Sequence, residues 1–90
     1  MRVGQARKRD ANEPMIVDAL KKAGVRVTKA SIEGFPDLIC YKSTHGVQLL
    51  EVKAPDGKLT PAQVKHTAEG WPVVIVRSPA DALAVFGVTQ

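Results

Sequence analysis

Residues 36–53 read PDLICYKSTHGVQLLEVK. The segment from Asp37 to Lys42 is rich in β-formers, and so is Val47 to Lys53; Ser43, Thr44, His45 and Gly46 lie between them. Two such runs joined by about four residues containing a glycine predict a β-hairpin. Upstream, Val25 to Thr28 alternates and predicts a short strand, and Ser31 to Gly34 connects it to the hairpin. Downstream, Val73 to Val76 is apolar without alternation, the pattern of a strand covered on both faces.

Helical signals fill the gaps. Ile16, Val17, Leu20 and Ala23 recur at helical spacing. Asp10 or Asn12 can cap that helix, Pro14 suits its first turn, and Gly24 can end it. Thr60-Pro61-Ala62-Gln63 is a helix start with Thr60 as cap and Gln63 as its reciprocal partner. That helix runs to about Glu69 and stops at Gly70. Ser78-Pro79-Ala80-Asp81 opens a last helix, closed by Gly87. The order is helix, three strands, helix, strand, helix. An antiparallel meander followed by a crossover helix and a parallel fourth strand gives an α/β fold, a mixed four-stranded sheet with helices on both faces.

Ninety residues with 44% hydrophobic and 24% charged content predict one ordered domain and exclude disorder as the main state. No apolar run approaches the ~18 residues of a membrane span, and MRVGQARKRD has no apolar signal core. A lone cysteine, Cys40, sits in an apolar run, as expected of a reduced cytoplasmic protein. The formal charge of +4 is unevenly placed. Arg2, Arg7, Lys8 and Arg9 stand in residues 1–9, which hold no acid, and residues 10–90 carry equal numbers of each sign. The excess is therefore a basic arm on a neutral domain. Such an arm suits a polyanion such as nucleic acid, or else it is simply solvated.

Glu51 and Lys53, two apart on one strand, point to one face, roughly 7 Å apart by the ~3.3 Å rise. On a central strand that face is covered, and opposite charges there are costly unless held. The hairpin can set Asp37 beside Glu51, and paired carboxylates repel unless a cation lies between them. Such oxygen ligands suit Mg²⁺ or Mn²⁺. Lys53 could position a water or offset charge on a phosphorane-like transition state. Read singly, Glu51 and Lys53 could equally be an ion pair and Asp37 a turn residue. Glu13 continues the apolar stripe of the first helix, where an acid is unexpected; it serves either a buried site or the helix dipole. Gln63 serves the capping box, the site, or both.

Pro36-Asp37 followed fourteen residues later by Glu51-Val52-Lys53 matches the PD-(D/E)xK nuclease signature. With Glu13 in the first helix, Gly34 before Pro-Asp, the Gly57 loop and Leu59 to Gln63, residues 12–78 resemble the virus-type replication–repair nuclease domain, VRR-Nuc. The resemblance implies a restriction-endonuclease-like α/β/α sandwich. It implies that Asp37, Glu51 and the Val52 carbonyl hold the metal, that Lys53 orients or activates the attacking water, and that Glu13 and Gln63 reach the site. It also implies a standalone, virus- or prophage-encoded homodimer acting in a bacterial host and cutting branched DNA such as a four-way junction. The alternatives are a flap or single-strand-junction nuclease and, from another class, a non-catalytic nucleic-acid-binding module. Lys58 is a further candidate DNA contact; Lys42, Lys65 and Arg77 could meet phosphates but are solvated by default. Trp71 and Tyr41 are expected to pack, and neither His45 nor His66 has a partner at zinc-ligand spacing. On the last helix, Leu83 and Phe86 can face inward, leaving Val85 and Val88 either for a partner or for the monomer core.

Removing residues 1–9 deletes four positive charges. It should weaken DNA binding at low salt and flatten the log–log salt slope by up to about 3–4. A salt titration of duplex binding by the full and shortened chains checks this; an unchanged slope would show that the arm stays off the DNA.

Overall fold

The computed structural model describes residues 11–31 and 35–89. The arm residues Arg2, Arg7, Lys8 and Arg9, the alternative cap Asp10 and Gly34 lie outside them. The elements are α1 (Glu13–Lys22), β1 (Arg26–Lys29), β2 (Leu38–Lys42), β3 (Gly46–Val52), α2 (Pro61–Ala68), β4 (Val73–Val76) and α3 (Pro79–Val85). The sheet order is β1-β2-β3-β4, antiparallel at the first two junctions and parallel at the third. The predicted order and the mixed sheet are both present.

Alternation along β3 sorts the layers. Leu50 and Val52 point to the face shared by Leu38, Cys40 and Val76, and α1 and α3 cover it with Ile16, Leu20, Ala82, Leu83 and Phe86. Glu51 points to the other face with its register partner Ile75. There α2 lies over β3 and β4 and buries no residue of its own. The result is three layers, one thick and apolar, the other thin and polar.

β4 departs from expectation. It lies beside β3 at the sheet edge, as the crossover predicts, but it is not covered on both faces: only Val76 is buried, and Val74 is 37% exposed. On the last helix, Val85 and Val88 are partly buried and pack against the monomer core. Of the apolar side chains that remain exposed, Ile39, Tyr41 and Val47 are on the opposite face of the sheet.

Local chemistry agrees with the sequence at the ends of the helices. Gly24 takes φ +85, and the amides of Gly24 and Val25 turn back onto the Lys21 and Leu20 carbonyls. Lys42 Nζ donates to the Ala23 carbonyl at 3.1 Å, so this lysine closes α1 rather than waiting for a phosphate. Asn12 occupies the cap position of α1, yet its side chain makes no cap bond. Its Nδ2 instead donates to the carbonyls of Lys53 (3.1 Å) and Arg77 (2.9 Å), which ties α1 to the ends of β3 and β4. Among the described residues no helix is long and apolar enough to cross a membrane.

Cys40 is fully buried, and desolvation raises its thiol to about 11 from 9.0. The raised value favours the neutral thiol in the native state. Its contribution is therefore complete below pH 9 and is lost as pH climbs to about 11, amounting to about 2–3 kcal/mol. Urea denaturation at pH 8 and pH 11 should show this loss in the native chain and not in Cys40→Ala. An identical pH dependence in the two proteins would contradict the assignment.

Candidate active site

The site is built at the C-terminal end of β3, where the strand runs beyond its last pair with β2. That pair is Leu38 with Leu50, so one further step of the register sets Asp37 opposite Glu51. With no β2 backbone left to meet it, the Val52 amide donates to the Asp37 carboxylate, Oδ2, at 2.8 Å. Pro36, Asp37 and Glu51 are all buried, the two acids 7% and 3% exposed. The Asp37 side chain thus extends the strand pairing one step beyond its last backbone pair, at the register position facing Glu51.

Glu51 and Lys53 share a face, with Nζ 4.0 Å from Oε2. Both side chains are nearly enclosed, 4% and 12% exposed. Gln63 adds a short hydrogen bond from Nε2 to the same Glu51 oxygen. Its Oε1 meanwhile accepts the Thr60 amide at 2.9 Å, and the Gln63 amide donates to Thr60 Oγ1 at 3.2 Å. The capping box and the site contact are thus made by one side chain. The cap holds Gln63 in the rotamer that meets Glu51.

Glu13 is 2% exposed in the first turn of α1, on the stripe of Ile16, Val17 and Leu20. It follows Asn12, whose side chain bonds the Lys53 carbonyl at the end of β3. Among the described residues no three of His, Cys, Asp and Glu gather as a group able to hold a metal ion. The Asp37 and Glu51 donor set fits a hard divalent cation. Two buried carboxylates at facing positions are like charges in a poorly solvated place, and Mg²⁺ binds through one or two carboxylates, keeping water in its other positions. The Val52 carbonyl is at the right place in the chain to add a third oxygen.

The loop after β3 is held by Arg77. Its Nη1 donates to the carbonyls of Ala54 (2.7 Å) and Gly57 (2.9 Å), with that of Pro55 at 3.5 Å. A Cβ on Gly57 would come within 3.3 Å of the Ala54 N and O, so a side chain there would crowd the loop. Arg77 Nη1 is thus committed to the protein's own backbone. Lys58 and Lys65 stay exposed, Lys58 on this loop and Lys65 on α2. Sequence reasoning missed the work of Arg77 and Asn12. The signal was the parallel register, since Val52 beside Val76 sets Lys53 beside Arg77.

Beneath α2 is a cavity of about 10 Å³, roughly one water in size, with Pro36, Glu51, Gln63, His66 and Ile75 among its walls. Phe35, His66 and Trp71 form a ring cluster at its edge. Trp71 and Tyr41 were expected to pack, but they are 47% and 44% exposed and stand outside the core. Comparison of the chain with protein-family models, with curated proteins and with solved structures found no match.

The carboxylate pair yields a direct test. Asp37→Asn keeps an oxygen for the Val52 amide, and Glu51→Gln keeps one for Gln63, so both variants should fold. Each removes one negative charge from the carboxylate pair, and if the pair holds a cation each should weaken Mn²⁺ binding about tenfold or more in a calorimetric titration. Unchanged affinity in both would remove the pair from any metal site.

Proposed function

We propose that the chain is a metal-dependent, structure-specific endodeoxyribonuclease, as its resemblance to VRR-Nuc implies. One observation carries the proposal: two buried carboxylates, Asp37 and Glu51, and a lysine, Lys53, converge at the end of one central strand. A structural role alone would favour apolar residues there, because burying charge is costly.

Asp37 and Glu51 would hold Mg²⁺ or Mn²⁺, which when bound polarises the phosphoryl group and lowers the pKa of a coordinated water. Gln63 and the capping box fix the Glu51 carboxylate. Lys53, anchored beside Glu51, orients the attacking water and offsets charge that develops on the phosphate oxygens. A P–O bond forms to the water oxygen as the opposite P–O bond breaks, and the leaving oxygen takes up a proton. Glu13 acts from α1 as a positioning residue at the end of the sheet. The basic arm and Lys58 meet the DNA backbone.

The substrate we favour is a branched DNA, a four-way junction before a flap. A homodimer matches the two-fold symmetry of such a junction. The exposed sheet side chains Ile39, Tyr41 and Val47 provide apolar surface for it. A non-catalytic DNA-binding module is the second reading. It is favoured by the structural hydrogen bonds that Asp37 and Glu51 both accept and by the lack of a three-ligand group among the described residues.

Labelled junctions, flaps and single strands incubated with Mg²⁺ or Mn²⁺ separate the two. Cleavage should stop in EDTA, and Lys53→Ala should lose at least about a hundredfold in rate while binding DNA nearly as well, because its role is at the transition state. A protein that binds these structures and cuts none of them with either metal is the binding module.

A further inference from the structure

The chain has four aromatic residues besides histidine, and only Phe86 enters the core. Two of the others, Phe35 and Trp71, gather with His66 beside the carboxylate site. Their ring centroids lie 5.9 Å (Phe35 to His66), 6.1 Å (Phe35 to Trp71) and 6.4 Å (His66 to Trp71) apart. The connections to the site are short. Phe35 stands two residues before Asp37, and His66 follows Gln63 by three, less than one helical turn, on the same side of α2. His66 also shares the small cavity with Glu51 and Gln63.

Trp71 is braced but not covered. The planes of His66 and Phe35 meet its plane at 87° and 56°, so neither ring stacks on it. It stays 47% exposed on the turn after α2. A large ring held from the side, half open to solvent and next to a pair of phosphodiester-directed carboxylates, has the geometry of a stacking platform. Stacking accepts any base, because every base has a π-face, but it needs that face free of a paired and stacked neighbour.

We propose that Trp71, braced by Phe35 and His66, stacks an unpaired base adjacent to the phosphodiester held at Asp37 and Glu51. The inference rests on the nuclease reading and sharpens its substrate: DNA with a single-stranded or splayed nucleotide next to the cut, such as an opened junction centre or a flap base. Fully paired duplex has no base to offer.

Trp71 is the chain's single tryptophan, so its emission reports on its own environment. The full chain is titrated in EDTA with oligo(dT) and, separately, with a blunt-ended, fully paired duplex. Oligo(dT) should quench the emission and the duplex should not. Trp71→Ala should weaken oligo(dT) binding, followed by anisotropy, by about 5- to 140-fold, the stacking contribution of one base, and leave duplex binding within about twofold. Trp71→Phe, which keeps a ring, should recover most of the loss. If oligo(dT) binds without changing the emission, or binds Trp71→Ala as tightly as the native chain, the platform is overturned while cleavage in Mg²⁺ still decides the nuclease reading. Emission that shifts with protein concentration in the absence of DNA would place Trp71 against a second copy and overturn it too. Failure to bind any DNA overturns both.

Discussion

Glu51 is a carboxylate almost wholly withdrawn from water on a central strand. Such a charge costs several kcal/mol unless it is answered locally. The answers come from two directions. Lys53, two residues along the same strand, brings an ammonium to 4.0 Å, and Gln63 brings an amide from α2. Because α2 buries none of its own residues, it has little apolar reason to sit where it does. Its place on the thin layer depends on polar contacts: the Gln63 bond, the loop that leads into it, and the ring cluster at its far end. The candidate site and the attachment of α2 are one set of interactions.

Two side chains on the other side of the loop make that possible. Arg77 gathers the carbonyls of the β3–α2 loop, so α2 starts at a fixed distance from the end of the strand. Asn12 takes the carbonyls of Lys53 and Arg77 and brings the start of α1 to the same point. Three elements from distant parts of the chain therefore meet within one hydrogen-bonded knot. Hydrogen bonds to charged donors contribute about 1.5–3 kcal/mol each, so the guanidinium is a substantial part of the hold. The thick layer needs no such devices, since Ile16, Leu20, Leu50, Val52 and Phe86 bury apolar surface there in the ordinary way.

The same asymmetry explains why chemistry would collect on the thin side. A polar, shallow layer leaves room for substrate and ions beside buried charge, whereas the apolar layer holds the strands that carry those charges at fixed spacing. The exposed Ile39, Tyr41 and Val47 lie on sheet surface that α2 leaves open. Trp71 lies at the other border of α2, where the site meets solvent.

Much of this was legible in the residues. Alternation, turn chemistry and the Thr60 and Ser78 caps are local signals, and local signals were enough for the order of elements and the mixed sheet. The hairpin itself followed as well, but not its register: the sequence suggested a four-residue turn over 43–46, whereas Gly46 pairs with Lys42 and leaves three residues in the turn, and that one-residue difference is what sets Asp37 opposite Glu51. Tertiary structure alone decided the rest. The packing of Val85 and Val88, the incomplete cover of β4 and the duties of Asn12, Lys42 and Arg77 all depend on which layer an element joins. They also depend on the register of a parallel pair whose strands are linked by about twenty residues, including a helix. Sequence periodicity says which side of an element is apolar. It carries no information on what that side meets, and a polar side chain finds its carbonyl only after distant backbone has been brought within about 3 Å.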